Sequence, residues 1–342
     1  MSGIKDVLLR AAMLPPVTGA LAPFTRDHAC IFMLHRFAHP DRGVLGHDPA
    51  LVRASLAWLR REGFTLIGVR ELLQRLQDGG PALRRAVGFT IDDGYADHAE
   101  IAAPLFAEFD CPVTTFVATG FLDRQLWFWW DRIEFAFEHS TRMAATVGLS
   151  DAMLDYAWPD GPGRKRAQVD FIERCKRVPD AEKLAGIERL AGALGVELPA
   201  APPSRYAPMT WDQLREVERR GMSFGPHTVT HPVLSQTPDA QSHAELHDSW
   251  ARLRSQAHTP VPIFCYPNGG WQDFGDREVR TLREIGIAGA VVGETGFADR
   301  ATLRKEQGAF RVRRFAFPDR LPLAAQYASG LERLKLMLRG GS

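Results

Sequence analysis

The 342-residue chain carries 42 Lys and Arg against 41 Asp and Glu, a formal net charge of +1. That length suits one large α/β domain or two ordinary ones, and 45% hydrophobic with 24% charged residues is the composition of a soluble globule. Near-neutral charge argues against a general nucleic-acid binder, and no apolar run reaches the ~18 residues of a spanning helix.

In chain order, Lys5 and Arg10 come first, ahead of an uncharged stretch from Ala11 to Phe24 with the small-residue tripeptide Ala20-Leu21-Ala22. Asp6 among the basic residues and Pro15-Pro16 within the apolar stretch count against a secretory signal. Residues 1–27 are therefore expected to form an arm on a cytoplasmic protein, one able to touch a membrane surface. Runs rich in β-formers follow at Cys30–Leu34, Ala86–Ile91, Val113–Ala118, Met222–Gly225, Val261–Cys265, Ala288–Val292 and Arg313–Phe317. Between them fall amphipathic helices, among them Leu51–Arg61, Asp97–Phe109, Trp211–Arg220, Asp239–Ala257 and Arg277–Ile285. Strands alternating with helices of this length predict βα units around a parallel sheet, and seven strands predict a closed or nearly closed barrel. Chemistry in such barrels gathers where strands end and loops begin.

The rhythm breaks from Phe121 to Pro208. This stretch opens with Trp127-Phe128-Trp129-Trp130-Asp131, continues with helical patterns near Arg164–Arg177 and Asp180–Gly195, and closes with the proline-rich Pro199–Pro208. It reads as a helical insertion between two strands, a lid or side lobe. So many rings together belong first to a core; lining a sugar groove or contacting a partner is the alternative. The expected organisation is an arm over 1–27, a barrel over 28–320 interrupted by 121–208, and a C-terminal helix over 321–342.

Three segments at strand ends carry chemistry. In Phe89-Thr90-Ile91-Asp92-Asp93-Gly94-Tyr95 an apolar strand runs into two adjacent carboxylates. Such charges are unfavourable there unless something positive meets them, although Asp-Asp-Gly is also a common turn. Side chains alternate along a strand, so one aspartate can bind a cation while the other stays free as a base. Next, Gly225-Pro226-His227-Thr228-Val229-Thr230-His231-Pro232 places two histidines at i and i+4, close enough to share a metal. His35/His39 and His243/His247 have the same spacing, and the latter pair lies in a polar helix, so spacing alone does not decide. Position at a strand end singles out His227 and His231. In the third segment, Tyr266-Pro267-Asn268-Gly269-Gly270-Trp271 forms a tight turn whose backbone N–H groups can face an oxyanion. Two histidines and one aspartate are three protein ligands, leaving an open position for water as catalytic metal sites require. Cys30, Cys111, Cys175 and Cys265 lie far apart without Cys-x-x-Cys spacing, which disfavours a disulfide scaffold or a cysteine-built zinc site.

These segments, in this order, resemble the polysaccharide deacetylase (NodB-homology) family, carbohydrate esterase family four. The family's Thr-Phe-Asp-Asp-Gly stands here as Thr90-Ile91-Asp92-Asp93-Gly94, and its His-Ser/Thr-x-x-His as His227-Thr228-Val229-Thr230-His231. The resemblance covers roughly residues 28–120 and 205–320. It implies an α/β fold, a distorted (β/α)7-type barrel with a helical insertion, and metal-dependent removal of N-acetyl groups from a saccharide or polysaccharide. By position, Asp92 would be the general base, and Asp93, His227 and His231 would hold one divalent ion. Zinc suits that ligand set, and Co²⁺, Ni²⁺ and Fe²⁺ fit it too. The metal and a backbone N–H, that of Asn268, would stabilise the tetrahedral oxyanion.

The sequence departs from the family pattern twice. A Leu-x-His segment near the carboxy terminus is missing, since the last histidine is His258. Instead Ile31-Phe32-Met33-Leu34-His35-Arg36 resembles the Tyr-His segment of the poly-N-acetylglucosamine deacetylase branch, in which the motif order is circularly permuted; this implies His35 as the general acid. The Arg of the family's Arg-x-Pro-Tyr pattern is also absent, with Phe264 and Cys265 nearby. Arg36, Arg313 and Arg314 are the candidates to hold Asp92 in its place. Tyr95, His98 and Trp271 flank the motifs, as groove lining or as packing. Two other functions stay open: hydrolysis of a small amide or other C–N bond on the same fold, and an inactive glycan-binding or polymer-assembly protein. The last would need a broken constellation, whereas Asp92, Asp93, His227 and His231 are all present.

Overall fold

Runs of β-branched and aromatic residues with almost no exposed face form strands that are covered on both sides, as parallel barrels require. The structure, a computed structural model, describes residues 9–10, 13–78 and 81–339. Its strands are β1 (His28–Leu34), β2 (Thr65–Leu66), β3 (Ala86–Asp93), β4 (Val113–Val117), β5 (Ala144–Leu149), β6 (Ala152–Ala157), β7 (Met222–Pro226), β8 (Ile263–Cys265), β9 (Gly289–Thr295), β10 (Ala298–Asp299) and β11 (Val312–Ala316). Seven of them run parallel in the order β7-β4-β3-β1-β11-β9-β8, and all seven coincide with predicted strands to within a few residues. Every residue of β3 and of β4 is buried. Inside the ring, Phe32 packs on Phe89 and on Phe317, with both centroid separations 5.4 Å.

The outer strands of that order meet at a seam. β7 and β8 share no ladder, yet Val261 N–H donates to Phe224 O at 2.7 Å. Gly225 makes the approach possible, since a Cβ there would stand 2.4 Å from Ile263 O. The result is a distorted (β/α)7 barrel, nearly closed, with helices around it. Its C-terminal rim brings together the ends of β1, β3, β7 and β8, where all three chemistry-bearing segments and His35 lie.

Several elements differ from expectation. The short strands β2 and β10 join the edges of β3 and β1 and were not anticipated. Within 121–208 the helices Trp129–His139, Gly161–Cys175 and Asp180–Leu194 surround a hairpin, β5–β6, closed by Ser150-Asp151 with Ser150 at φ +53°. That stretch has a core of its own, in which Trp129, Ile133 and Phe137 meet Phe171, Ile187 and Leu190. The helix predicted over Asp97–Phe109 starts as a π-helix, His98–Ala102, before continuing as α over Ala103–Ala107. The C-terminal region holds two helices, Leu321–Ser329 and Leu331–Leu338, parted at Gly330. Of the arm expected over 1–27, residues 1–8, 11 and 12 lie outside the described residues, as do 340–342 of the C-terminal segment. The rest of the arm contains the helix Pro15–Leu21, where Thr18 Oγ1 donates to Glu62 Oε2 at 3.0 Å. Among the described residues no helix is long and apolar enough to cross a membrane.

Candidate active site

β3 carries Asp92 and Asp93 to its very end, both buried. Alternation separates them. Asp93 has φ +90°, a strained backbone for a residue with a Cβ, and its carboxylate turns towards two histidines. Of the nine non-glycine residues at positive φ among the described residues, four belong to this rim: Asp93, Thr228, His231 and Asn268. Such clustering is typical of sites whose geometry overrides local preference.

His227 and His231 leave the end of β7 on a turn that doubles back between them. Asp93 Oδ1 stands 3.6 Å from Nε2 of His227 and 3.6 Å from Nε2 of His231. A tetrahedral ion with bonds of about 2.0–2.1 Å holds its ligands about 3.4 Å apart, so the three atoms suit one divalent cation. His227 Nδ1 lies 2.7 Å from Cys265 O, which makes Nδ1 the N–H donor and leaves the Nε2 lone pair for a metal. Burial, with repulsion from His227, pulls the His231 imidazole down to about 3, so it is neutral at neutral pH as a ligand must be. A second grouping, Asp92 with His227 and Cys265, is also within ligand distance. Both oxygens of Asp92 are already engaged by a guanidinium, however, which excludes a cation there.

The turn is held from outside. Glu245, buried on the helix Asp239–Gln256, accepts Val229 N–H at 2.7 Å, Thr230 N–H at 2.9 Å and Thr230 Oγ1–H at 2.5 Å. Thr228 Oγ1 accepts His231 N–H at 3.0 Å.

The residue that holds Asp92 is Arg314, from β11. It is 1% exposed and donates from Nη1 to Oδ1 and from Nη2 to Oδ2, both at 2.8 Å. Its remaining donors reach Val292 O, Thr90 Oγ1 and Cys265 Sγ. Burial alone would push the Asp92 carboxyl up, but the Arg314 charge and its hydrogen bonds hold it below the ordinary carboxylate range. The other two candidates are occupied elsewhere. Arg36 pairs with Asp97 and lies over the Tyr95 ring, and the Arg313 guanidinium faces Trp271. On the open side of Asp92, His35 Nε2 stands 3.9 Å from Oδ2 and its side chain is 47% exposed. His98, buried on the π-helix, places Nε2 2.5 Å from His35 O and so fixes the backbone that presents His35. Residues 195–288 match the profile of the polysaccharide deacetylase family. That span holds His227, His231 and Asn268 and leaves Asp92, Asp93 and His35 outside.

Solved structures share the fold more widely than the sequence does. The Streptococcus pyogenes deacetylase PplD, in complex with acetate, is 18% identical with a TM-score of 0.55, over 86% of this chain and 94% of that one. IcaB from Ammonifex degensii is 16% identical with a TM-score of 0.53, over 89% and 97%. A de-N-acetylase from Aggregatibacter actinomycetemcomitans is 14% identical with a TM-score of 0.51, over 86% and 96%. No curated protein matches the chain in sequence.

On this barrel the rim opens into a cavity of about 540 Å³ that includes His35, Asp92, Asp93, His227, His231 and Asn268. All six predicted site residues therefore face one space. Asn268, at φ +58°, has its Nδ2 buried without a hydrogen-bond partner. The insertion provides the facing wall. Of the aromatic run, Trp127 and Phe128 are buried away from the cavity, Trp129 is buried but lines it, and Trp130 lines it and meets the His231 ring edge-on at 4.6 Å. Trp130 Nε1 donates to Tyr95 Oη at 3.0 Å, and Tyr95 Oη donates to Asp131 Oδ2 at 2.8 Å. Burial pushes the Asp131 carboxyl well above its ordinary range despite that bond. Tyr95 thus packs and bonds rather than standing exposed in a groove.

Proposed function

We propose that the chain is a metal-dependent deacetylase that hydrolyses the N-acetyl group of an N-acetylated saccharide, giving acetate and the free amine. One observation carries the reading: Asp93, His227 and His231 converge on one point beside a separately anchored carboxylate, Asp92, in the same cavity. The donor set of two imidazoles and one carboxylate suits a divalent ion, which when bound supplies a Lewis acid at the acetamido carbonyl and acidifies water. Asp92, fixed by the Arg314 fork, is placed to accept the proton of the attacking water. His35 is placed on the open side of Asp92 to return a proton to the amide nitrogen, since an amide anion does not leave near neutral pH. Asn268 adds a donor at the cavity wall, and Trp130 shields the site from bulk water.

The test is acetate release from N-acetylglucosamine oligomers, together with metal analysis of protein purified without chelator. About one divalent ion per chain is expected, lost in Asp93→Ala and in His231→Ala. Asp92→Asn should keep the metal and lose about 10²- to 10⁴-fold in kcat. Wild-type protein without metal, or full activity in Asp92→Asn, overturns the mechanism.

A further inference from the structure

The last helix, Leu331–Leu338, buries none of its residues. Its sequence, Leu-Glu-Arg-Leu-Lys-Leu-Met-Leu, puts Leu331, Leu334 and Leu338 at i, i+3 and i+7, the spacing of a helix with one apolar face. Leu331 and Leu334 are half-buried, while Leu336, Met337 and Leu338 are exposed, Leu338 at 78%. Leu14, just before the helix Pro15–Leu21, is exposed as well. The two helices meet at Gly330, φ +93°, where a Cβ would stand 3.0 Å from Phe24 Cβ and 3.1 Å from Leu21 O. Apolar side chains gathered at one helix end and left in water forfeit hydrophobic stabilisation unless a partner covers them.

The charge around them shows what kind of partner fits. Arg333 Nη1 donates to Phe24 O at 2.9 Å and to Arg26 O at 3.3 Å, which sets the helix at the N-terminal end of β1, across the barrel from the metal-binding rim. Asp27 N–H donates to Leu83 O at 2.8 Å and Arg300 N–H to Asp27 O at 3.1 Å, so two further segments adjoin it. Together the segments 22–27, 81–85, 299–306 and 331–339 hold nine Lys and Arg against four Asp and Glu, a basic surplus on a chain whose net charge is only +1. Three of the four acids are engaged locally. Asp27 pairs with Arg300, Asp299 accepts the Thr302 N–H, and Glu332 pairs with Lys335. Arg26, Arg84, Arg304, Lys305 and Arg339 are exposed.

We propose that this face docks on a membrane surface rich in anionic lipid. Leu336, Met337 and Leu338 enter the headgroup boundary, and the surrounding Arg and Lys lie over lipid phosphates. A second copy of the chain fits less well, because a self-complementary contact sets the basic surplus against itself. A polyanion without an apolar phase leaves the leucines uncovered. Three apolar side chains alone hold a bilayer weakly, so binding needs both the apolar and the electrostatic contribution. Docked in this way, the rim with Asp92 and Asp93 faces away from the bilayer, and its substrate arrives from the aqueous side. The proposal does not depend on the deacetylase reading.

The test is cosedimentation of the full chain with vesicles of pure phosphatidylcholine and of phosphatidylcholine mixed with phosphatidylglycerol in equal parts. Binding is expected to the mixed vesicles only, and it should fall about tenfold or more between about 0.05 M and about 0.5 M salt. Leu336→Glu, Met337→Glu and Leu338→Glu together should lower it about tenfold or more. Arg304→Ala with Lys305→Ala, which leaves the helix untouched, should do the same, since each cation near an anionic surface contributes about fivefold. Both variants should keep the wild-type circular dichroism and metal content. Absence of vesicle binding, equal binding to the two vesicle types, or binding unchanged in either variant overturns the proposal. Sedimentation velocity without lipid supplies a further arm: a dimer that the triple Glu variant turns into a monomer overturns the bilayer as partner and assigns the face to self-association, whereas a monomer in both supports it.

Discussion

Arg314 shows what one buried residue can settle. A guanidinium taken out of water is unfavourable unless its donors are met, and here all of its nitrogens are engaged, two of them by both oxygens of Asp92. The fork fixes the carboxylate in position as well as in charge, which a single ammonium cannot do. Arg314→Lys should therefore fold, retain metal and KM, and lose about 10- to 100-fold in kcat, as misdirected general-base catalysis predicts. Wild-type kcat in that variant would remove Arg314 from the positioning role. Arg314→Met should instead show in a urea titration as a loss of about 3–5 kcal/mol, because Asp92 is left buried and unpaired. The sequence left Arg36, Arg313 and Arg314 open because all three flank strand ends. Only the register of β11, which turns Arg314 inward and Arg313 out, separates them.

At the scale of elements, the helix Asp239–Gln256 is more than a cover for the barrel. Its inward positions are Ser242, Glu245, Leu246, Ser249, Trp250 and Leu253. The exposed pair His243 and His247 lies on the opposite face, as the polar pattern predicts. Glu245 was missed, although an acidic residue on the apolar stripe of this helix was a signal for it; its three acceptor bonds to the His227–His231 turn depend on where β7 ends, which the pattern does not give. That turn holds Thr228 and His231 at positive φ, so it needs outside support to keep two imidazoles aimed at one point. Glu245→Ala should lower metal affinity by about 10- to 100-fold in a chelator competition, as loss of an outer support for a ligand does. Glu245→Gln, which keeps an acceptor, should fall between the two. Unchanged metal affinity in Glu245→Ala would show that the turn holds itself. The insertion teaches a related lesson: Trp130 and Asp131 line the site, Trp127 and Phe128 pack, and Trp129 does both, a division that composition cannot make within one aromatic run.

For the whole molecule, the barrel was readable because its seven strands are short, mostly buried apolar runs that alternate with amphipathic helices. The β5–β6 hairpin was missed because Ala, Gly and Met give weak strand signals between two strong helices. Closure was not readable, since it depends on a backbone contact across the seam. There, Gly225 pairs with Phe116 in the ladder to β4 and faces Ile263 O across the gap to β8. Any side chain at 225 meets a carbonyl at 2.4 Å and the Phe116 ring at 2.8 Å, and neither the ladder nor a fully buried ring has room to give way. The seam must widen, and it carries both Pro226-His227 and the Cys265 carbonyl that orients His227. Gly225→Ala should thus lower stability by about 1–3 kcal/mol, read as a fall in the urea midpoint, and weaken metal binding along with it. A variant with an unchanged midpoint would mean that the seam is loose, and that the site is held by Arg314 and Glu245 alone rather than by closure of the barrel.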